Sequence, residues 1–150
     1  MTEAGYIELN NNIKNWQRQS FENLRNGGEY FHTHAKYSSQ NKNIVFISFL
    51  NTDGIGSSRL LLNTEFSNAF PGGYYLAFPD RSCGLIISKE ITDKELKETQ
   101  LLVKNMYKTA TTPMTSEIYD PLKFSLPQDW TLPIDKEFSE QIINAIAKQS

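Results

Sequence analysis

The sequence predicts an α+β domain, a mainly antiparallel sheet of four to five strands covered on one face by helices. Two observations carry that class: short β-rich runs occur in closely linked pairs, and segments with helical periodicity separate the pairs.

After a ragged start, "IKNWQRQSFENLRNGG" reads as a helix, with Ile13, Trp16, Ser20 and Leu24 near helical spacing and Phe21 widening the stripe. Gly27 and Gly28 supply its stop. "EYFHTHAKY" alternates and is rich in β-formers, "SSQNKN" is a polar turn, and "NIVFISFL" is a second strand, so the three predict an antiparallel hairpin. The glycine-rich stretch "NTDGIGSSRLLL" then leads into a short helix. From Leu62, residues Phe66, Ala69 and Phe70 share one face, and "PGG" ends it.

"YYLAFP" and "CGLIISKE" form the next strand pair around the tight "PDRS" connection, where Pro79 cannot donate to a ladder and so marks a strand end. "TDKELKETQLLVKNMYKTA" is the longest helical pattern. Thr92 and Glu95 open it as a capping box, and Leu96, Val103, Met106 and Ala110 share a face with Leu102 alongside. Beyond it, prolines 113, 121, 127 and 133 forbid a long helix, and "LKFSL" is expected as a short edge strand. Asp135 then caps a last helix with Phe138, Ile142, Ala145 and Ile146 on one side. With no repeat, low-complexity tract or linker, residues 1–150 are expected to form a single domain.

Composition narrows the function classes. A chain of 150 residues buries about 70% of its unfolded surface, so no metal or disulfide staple is required. The formal net charge is -2, from 15 basic and 17 acidic side chains mixed along the chain, which argues against nucleic acid and anionic lipid as partners. Cys83 is the only cysteine, which fits a reducing compartment. The N-terminus lacks a signal pattern and runs such as "IVFISFL" are too short to span a bilayer, so a cytoplasmic protein without membrane attachment is expected.

Several residues invite a chemical role. "DGIGSS" sits between strand and helix like a phosphate loop, yet it lacks the lysine of a Walker loop, the third glycine of a dinucleotide site and the frame of a nucleophile elbow. An anion gripped by helix-start N–H groups and Arg59 is one use for it; the plainer one is that Asp53 or Ser57 caps the helix while Arg59 pairs with a carboxylate. His32 and His34 share a strand face, but no third ligand is apparent, so no metal is expected. Cys83 opens an apolar strand, where a thiol acts as a small buried hydrophobe. Glu95 and Glu98 lie on the solvent side of a charged helix. Asp80 and Arg81 mark the hairpin tip, and the topology decides whether they meet Asp53 and Arg59. The candidate binding residues are therefore Asp53, Ser58, Arg59, Asp80 and Arg81; no catalytic set and no cofactor are expected.

The order strand, "TDGIGSSRLLL", "GGYYLAFPDRSCGLII", helix, "TTPMTSEIYD" resembles the C-terminal half of the YtpQ-like family, bacterial proteins with no established activity. In that family a strand leads to Asp-Gly, a Ser-Arg pair and a leucine-rich helix, then to a proline turn and a "PLT" or "PIT" segment. Asp53, Gly54, Ser58, Arg59, Pro79 and the run around Pro113 match, as do Phe21, Asn23, Leu24 and Arg25, so the likeness spans Trp16 to Tyr119. The N-terminal half of longer members is absent, and the aspartate of "PDRSCG" is displaced toward the proline. The resemblance implies the fold and a cytoplasmic bacterial origin, and it supplies no mechanism.

Two functional readings follow. The first is a non-catalytic binding or protein-interaction module, acting on a protein partner or by self-association, with an immunity-type protein that neutralises a toxin as its specific version. The alternative is a small-molecule or anion binder, or a weak hydrolase, using Asp53, Arg59, Asp80 and Arg81.

Overall fold

A computed structural model describes residues 3–13, 16–26, 33–50, 56–62 and 70–121. His32, Asp53, the core of the helix expected from Leu62, the "LKFSL" strand and the final helix lie outside the described residues. The elements are α1 (Glu3–Asn12), α2 (Trp16–Asn26), β1 (Thr33–Tyr37), β2 (Ile44–Leu50), a 3₁₀ turn (Ser57–Leu62), β3 (Tyr74–Asp80), β4 (Cys83–Ser88), α3 (Asp93–Thr109) and β5 (Ile118–Tyr119). The five strands form one sheet in the order β1-β2-β4-β3-β5, and every pairing is antiparallel. The chain is an α+β protein, as its pattern predicts.

Two hairpins build the sheet, joined where β2 pairs with β4 (Ile47 opposite Ile86, Leu50 opposite Cys83). The central position of β2 and β4 explains their composition. A strand covered on both faces cannot afford alternate polar residues, so each reads as a nearly unbroken apolar run.

Cover accordingly extends beyond the single face expected. Ile47, Phe49, Leu60, Leu76 and Ile86 form one fully buried cluster, with Leu24 of α2 packed against it. On the opposite face Phe46, Ala77, Leu85 and Ile87 cluster with Val103 of α3, and Met106 packs alongside. Each fully buried side chain of this size contributes about 1.5–3 kcal/mol relative to exposure. A register shift opposite Lys36/Tyr37 lets the adjacent Val45 and Phe46 join the same cluster.

Local chemistry sets the element ends. Thr92 caps α3 through a full capping box: its hydroxyl accepts from the Glu95 N–H (3.2 Å), while the Glu95 carboxylate accepts from the Thr92 N–H (3.0 Å). Hydrogen bonds to Glu95 from Ser38 and from Thr92 hold its carboxyl below the usual range. An N-cap of this type contributes about 1 kcal/mol. In the turn after β1, Ser38 exchanges backbone hydrogen bonds with Asn43 and Lys42, and Lys42 takes φ of 60°.

Three details depart from expectation. β3 runs through Pro79 to Asp80, because the register shifts between Ala77 and Asp80 and leaves the proline at the irregularity, where no ladder donor is needed. Leu102 is exposed, and Thr99 takes a buried place on the inner face of α3, its hydroxyl satisfied by the Glu95 carbonyl at 2.8 Å. Ile13 lies past the end of α1 and is exposed, so it does not extend the stripe of α2.

Candidate functional site

The topology brings Gly56 and Ser57, within the described part of the glycine-rich stretch, onto the "PDRS" turn. β2 and β4 are antiparallel, so the end of β2 and the β3–β4 hairpin tip share one end of the sheet. Ser57 then reaches across: both its N–H (3.2 Å) and its hydroxyl (2.8 Å) donate to the Arg81 carbonyl. Gly56 lies so close to this turn that a Cβ there would overlap the Ser82 carbonyl and crowd that of Phe49. One step along β4, a Cβ on Gly84 would meet Leu60 at 2.8 Å and the Ser57 Cα at 3.2 Å. The glycines are spent on close packing of backbone against backbone.

Asp80 fastens the other side of the tip. Its Oδ1 accepts from the Ser82 N–H (2.7 Å), the Ser82 hydroxyl (2.6 Å) and the Thr112 hydroxyl (3.3 Å), and its Oδ2 accepts from the Thr112 N–H (3.1 Å). The backbone completes the strap: Arg81 N–H donates to Thr112, Met114 N–H to Pro79, and Thr115 N–H to Phe78. The Ser82 hydroxyl bond does most to hold the Asp80 carboxyl below its ordinary value, and the remaining bonds help against an opposing effect of burial.

The candidates therefore occupy distinct settings. Ser58 is half-buried in the 3₁₀ turn. Arg59 is only 1% exposed and engaged within the fold, so it does not face solvent. Asp80 is 8% exposed, with both oxygens committed internally, and the Arg81 side chain is exposed. The structure thus joins the two segments through Ser57 and the Arg81 carbonyl, while Asp80 ties the tip to itself through Ser82 and to the segment after α3 through Thr112; sequence reasoning missed Ser82 and Thr112. A partner 32 positions away from Asp80 leaves no local signal.

Cys83 sits opposite Asp80, 3% exposed, and burial together with the Asp80 charge pushes its thiol up to about 12. A nucleophilic thiol needs the reverse environment. Native protein at pH 8 is expected to react with a thiol reagent only as fast as it unfolds, with full labelling in denaturant. Labelling in seconds under native conditions would contradict the buried placement. His34 is exposed, and among the described residues no group of three or more His, Cys, Asp or Glu is placed to hold a metal.

The second distinctive surface is the outward face of α3. Lys94, Lys97, Leu101, Lys104 and Lys108 follow each other at alternating steps of three and four residues, which places them on one stripe opposite Thr99 and Val103. All five are exposed, Leu101 at 60%. Lys94 is shared with Glu98 at 3.9 Å, and Glu98 also meets Lys36 of β1 at 3.8 Å. Lys97, Lys104 and Lys108 form no ion pair among the described residues. Their spacing was readable in "KELKETQLLVKNMYK", but an exposed lysine stripe reads first as a solvated face.

No family model, curated protein or solved structure matches this chain. Its function has to be read from its own surfaces. At the sheet tip the polar groups hold the fold, whereas the α3 stripe presents an exposed apolar side chain flanked by Lys97, Lys104 and Lys108, which form no ion pair among the described residues.

Proposed function

We propose that the chain is a non-catalytic protein-interaction module whose α3 face docks an acidic segment of a partner protein. The observation that carries this reading is Leu101, 60% exposed and flanked along one helical stripe by Lys97, Lys104 and Lys108. Charge complementarity names the partner's chemistry. The chain's net charge is -2, so without the four lysines of the stripe the remainder stands at -6, and positive charge is concentrated where an apolar anchor is exposed. Self-association by apposing two copies of this face is disfavoured, because a two-fold interface would set lysine stripe against lysine stripe. The internal use of Asp80, Ser57 and Cys83 supports a role other than catalysis at the sheet tip.

Photo-crosslinking in cells of the source organism tests this. With Leu101 replaced by a photo-reactive phenylalanine, irradiation is expected to give a discrete adduct whose attachment segment is rich in Asp and Glu, with a yield that falls as salt rises. A second copy of the chain as the adduct, a segment without acidic residues, or no adduct at all would overturn the proposal.

A further inference from the structure

At the end of the sheet away from the hairpin tip, a cleft of about 340 Å³ opens between the turn after β1 and the turn before β3. Ile44, Phe70 and Pro71 give it an apolar lining, and Phe70 is held in place by burial and by the Tyr74 ring 5.9 Å away. Two residues of opposite charge also line it, Lys42 and Glu90. Among the described residues neither is in an ion pair, so the two stand on one cleft without neutralising each other.

Backbone geometry sets both residues at the cleft. Lys42 sits at φ of 60° in a turn closed by hydrogen bonds between Ser38 and its far side. Glu90 is placed by its N–H donating to the Ser88 hydroxyl (3.0 Å), and its side chain lies over Gly72, where a Cβ would overlap it. Gly73, at φ of 90°, lets the chain turn beneath. An apolar lining with a few fixed polar groups is the general form of a small-molecule site.

We infer that this cleft binds a small zwitterion with an apolar body, a free amino acid with an apolar side chain, its carboxylate on Lys42 and its ammonium on Glu90. The site is separate from the α3 face, so its failure leaves the docking proposal standing.

Titration calorimetry on the full chain tests it with leucine and phenylalanine, against the matched amine and the matched carboxylic acid that each lack one charge. The expected result is saturable one-to-one binding of at least one zwitterion at millimolar concentration or below, weakened about tenfold or more for either singly charged analogue. Lys42→Asn and Glu90→Gln should each weaken it by a similar factor. Asparagine tolerates a positive φ, glutamine keeps the Cγ and Cδ atoms that cover Gly72, and both parent side chains are exposed, so both variants should fold. Unchanged thermal unfolding checks that they do. No saturable binding of either zwitterion, equal binding of a singly charged analogue, or binding unaffected in the folded variants would overturn the inference.

Discussion

Gly56→Ala is expected to lower the unfolding free energy by about 3 kcal/mol, a heavy penalty for one methyl group. Overpacking is cheap when the obstacle is the end of a flexible side chain. Here the obstacles are the Ser82 and Phe49 carbonyl groups, fixed by the β3–β4 hairpin and by β2. To admit a methyl, the segment would have to lift from the turn, and lifting breaks both Ser57 bonds to the Arg81 carbonyl. It would also draw Leu60 away from Gly84 and out of the cluster it shares with Phe49 and Ile86. Equilibrium denaturation should show a lower midpoint with an unchanged slope. Stability within about 0.5 kcal/mol of the parent would mean that the segment does not seat on the turn as described.

Asp80→Ala is expected to cost about 2 kcal/mol, because it orphans the Ser82 and Thr112 N–H donors and two hydroxyls at once. Its pH dependence gives a sharper signature. The folded carboxyl titrates below its ordinary value of 3.8, so the charged form is favoured in the folded state. That contribution is fully present above the unfolded value and is lost as pH falls through the folded value beneath it. The stability gap between parent and Asp80→Asn should therefore be constant from neutral pH down to the ordinary carboxylate range and shrink below it. A gap that stays constant through that range, or widens on acidification, would show that the carboxylate is not the fastener.

Much of this fold was legible because its signals are local. The β-rich pairs became hairpins, and Thr92 with Glu95 three residues on became a capping box. The burial of β2 and β4 on both faces departs from the one-face cover that the sequence predicts, although their unbroken apolar runs accord with such burial. What escaped the sequence depends on contacts distant along the chain. Asp80 could be marked as a turn residue, but its bond to Thr112 exists only once the segment after α3 returns to the edge of β3. For Arg59 the sequence leaves both an anion grip and an internal carboxylate pair open, and only the packing of the 3₁₀ turn against β4 reveals its burial. Hydropathy favours Leu102 over Thr99 for the inner face, yet a hydroxyl that bonds back one helical turn can be buried at little cost.

Two groups of polar residues have separate roles: those at the sheet tip hold the fold, and those along α3 are the ones we propose to meet a partner. One crosslinking measurement sets them against each other, the yield of the adduct formed from position 101 in two variant backgrounds. Lys97→Glu/Lys104→Glu/Lys108→Glu should abolish the adduct while the chain stays folded, because all three side chains are exposed and form no ion pair among the described residues. Arg81→Ala, which removes the exposed arginine of the hairpin tip, should leave the yield unchanged. An adduct that survives the triple charge reversal and disappears with Arg81 would contradict the account and return the function to the tip.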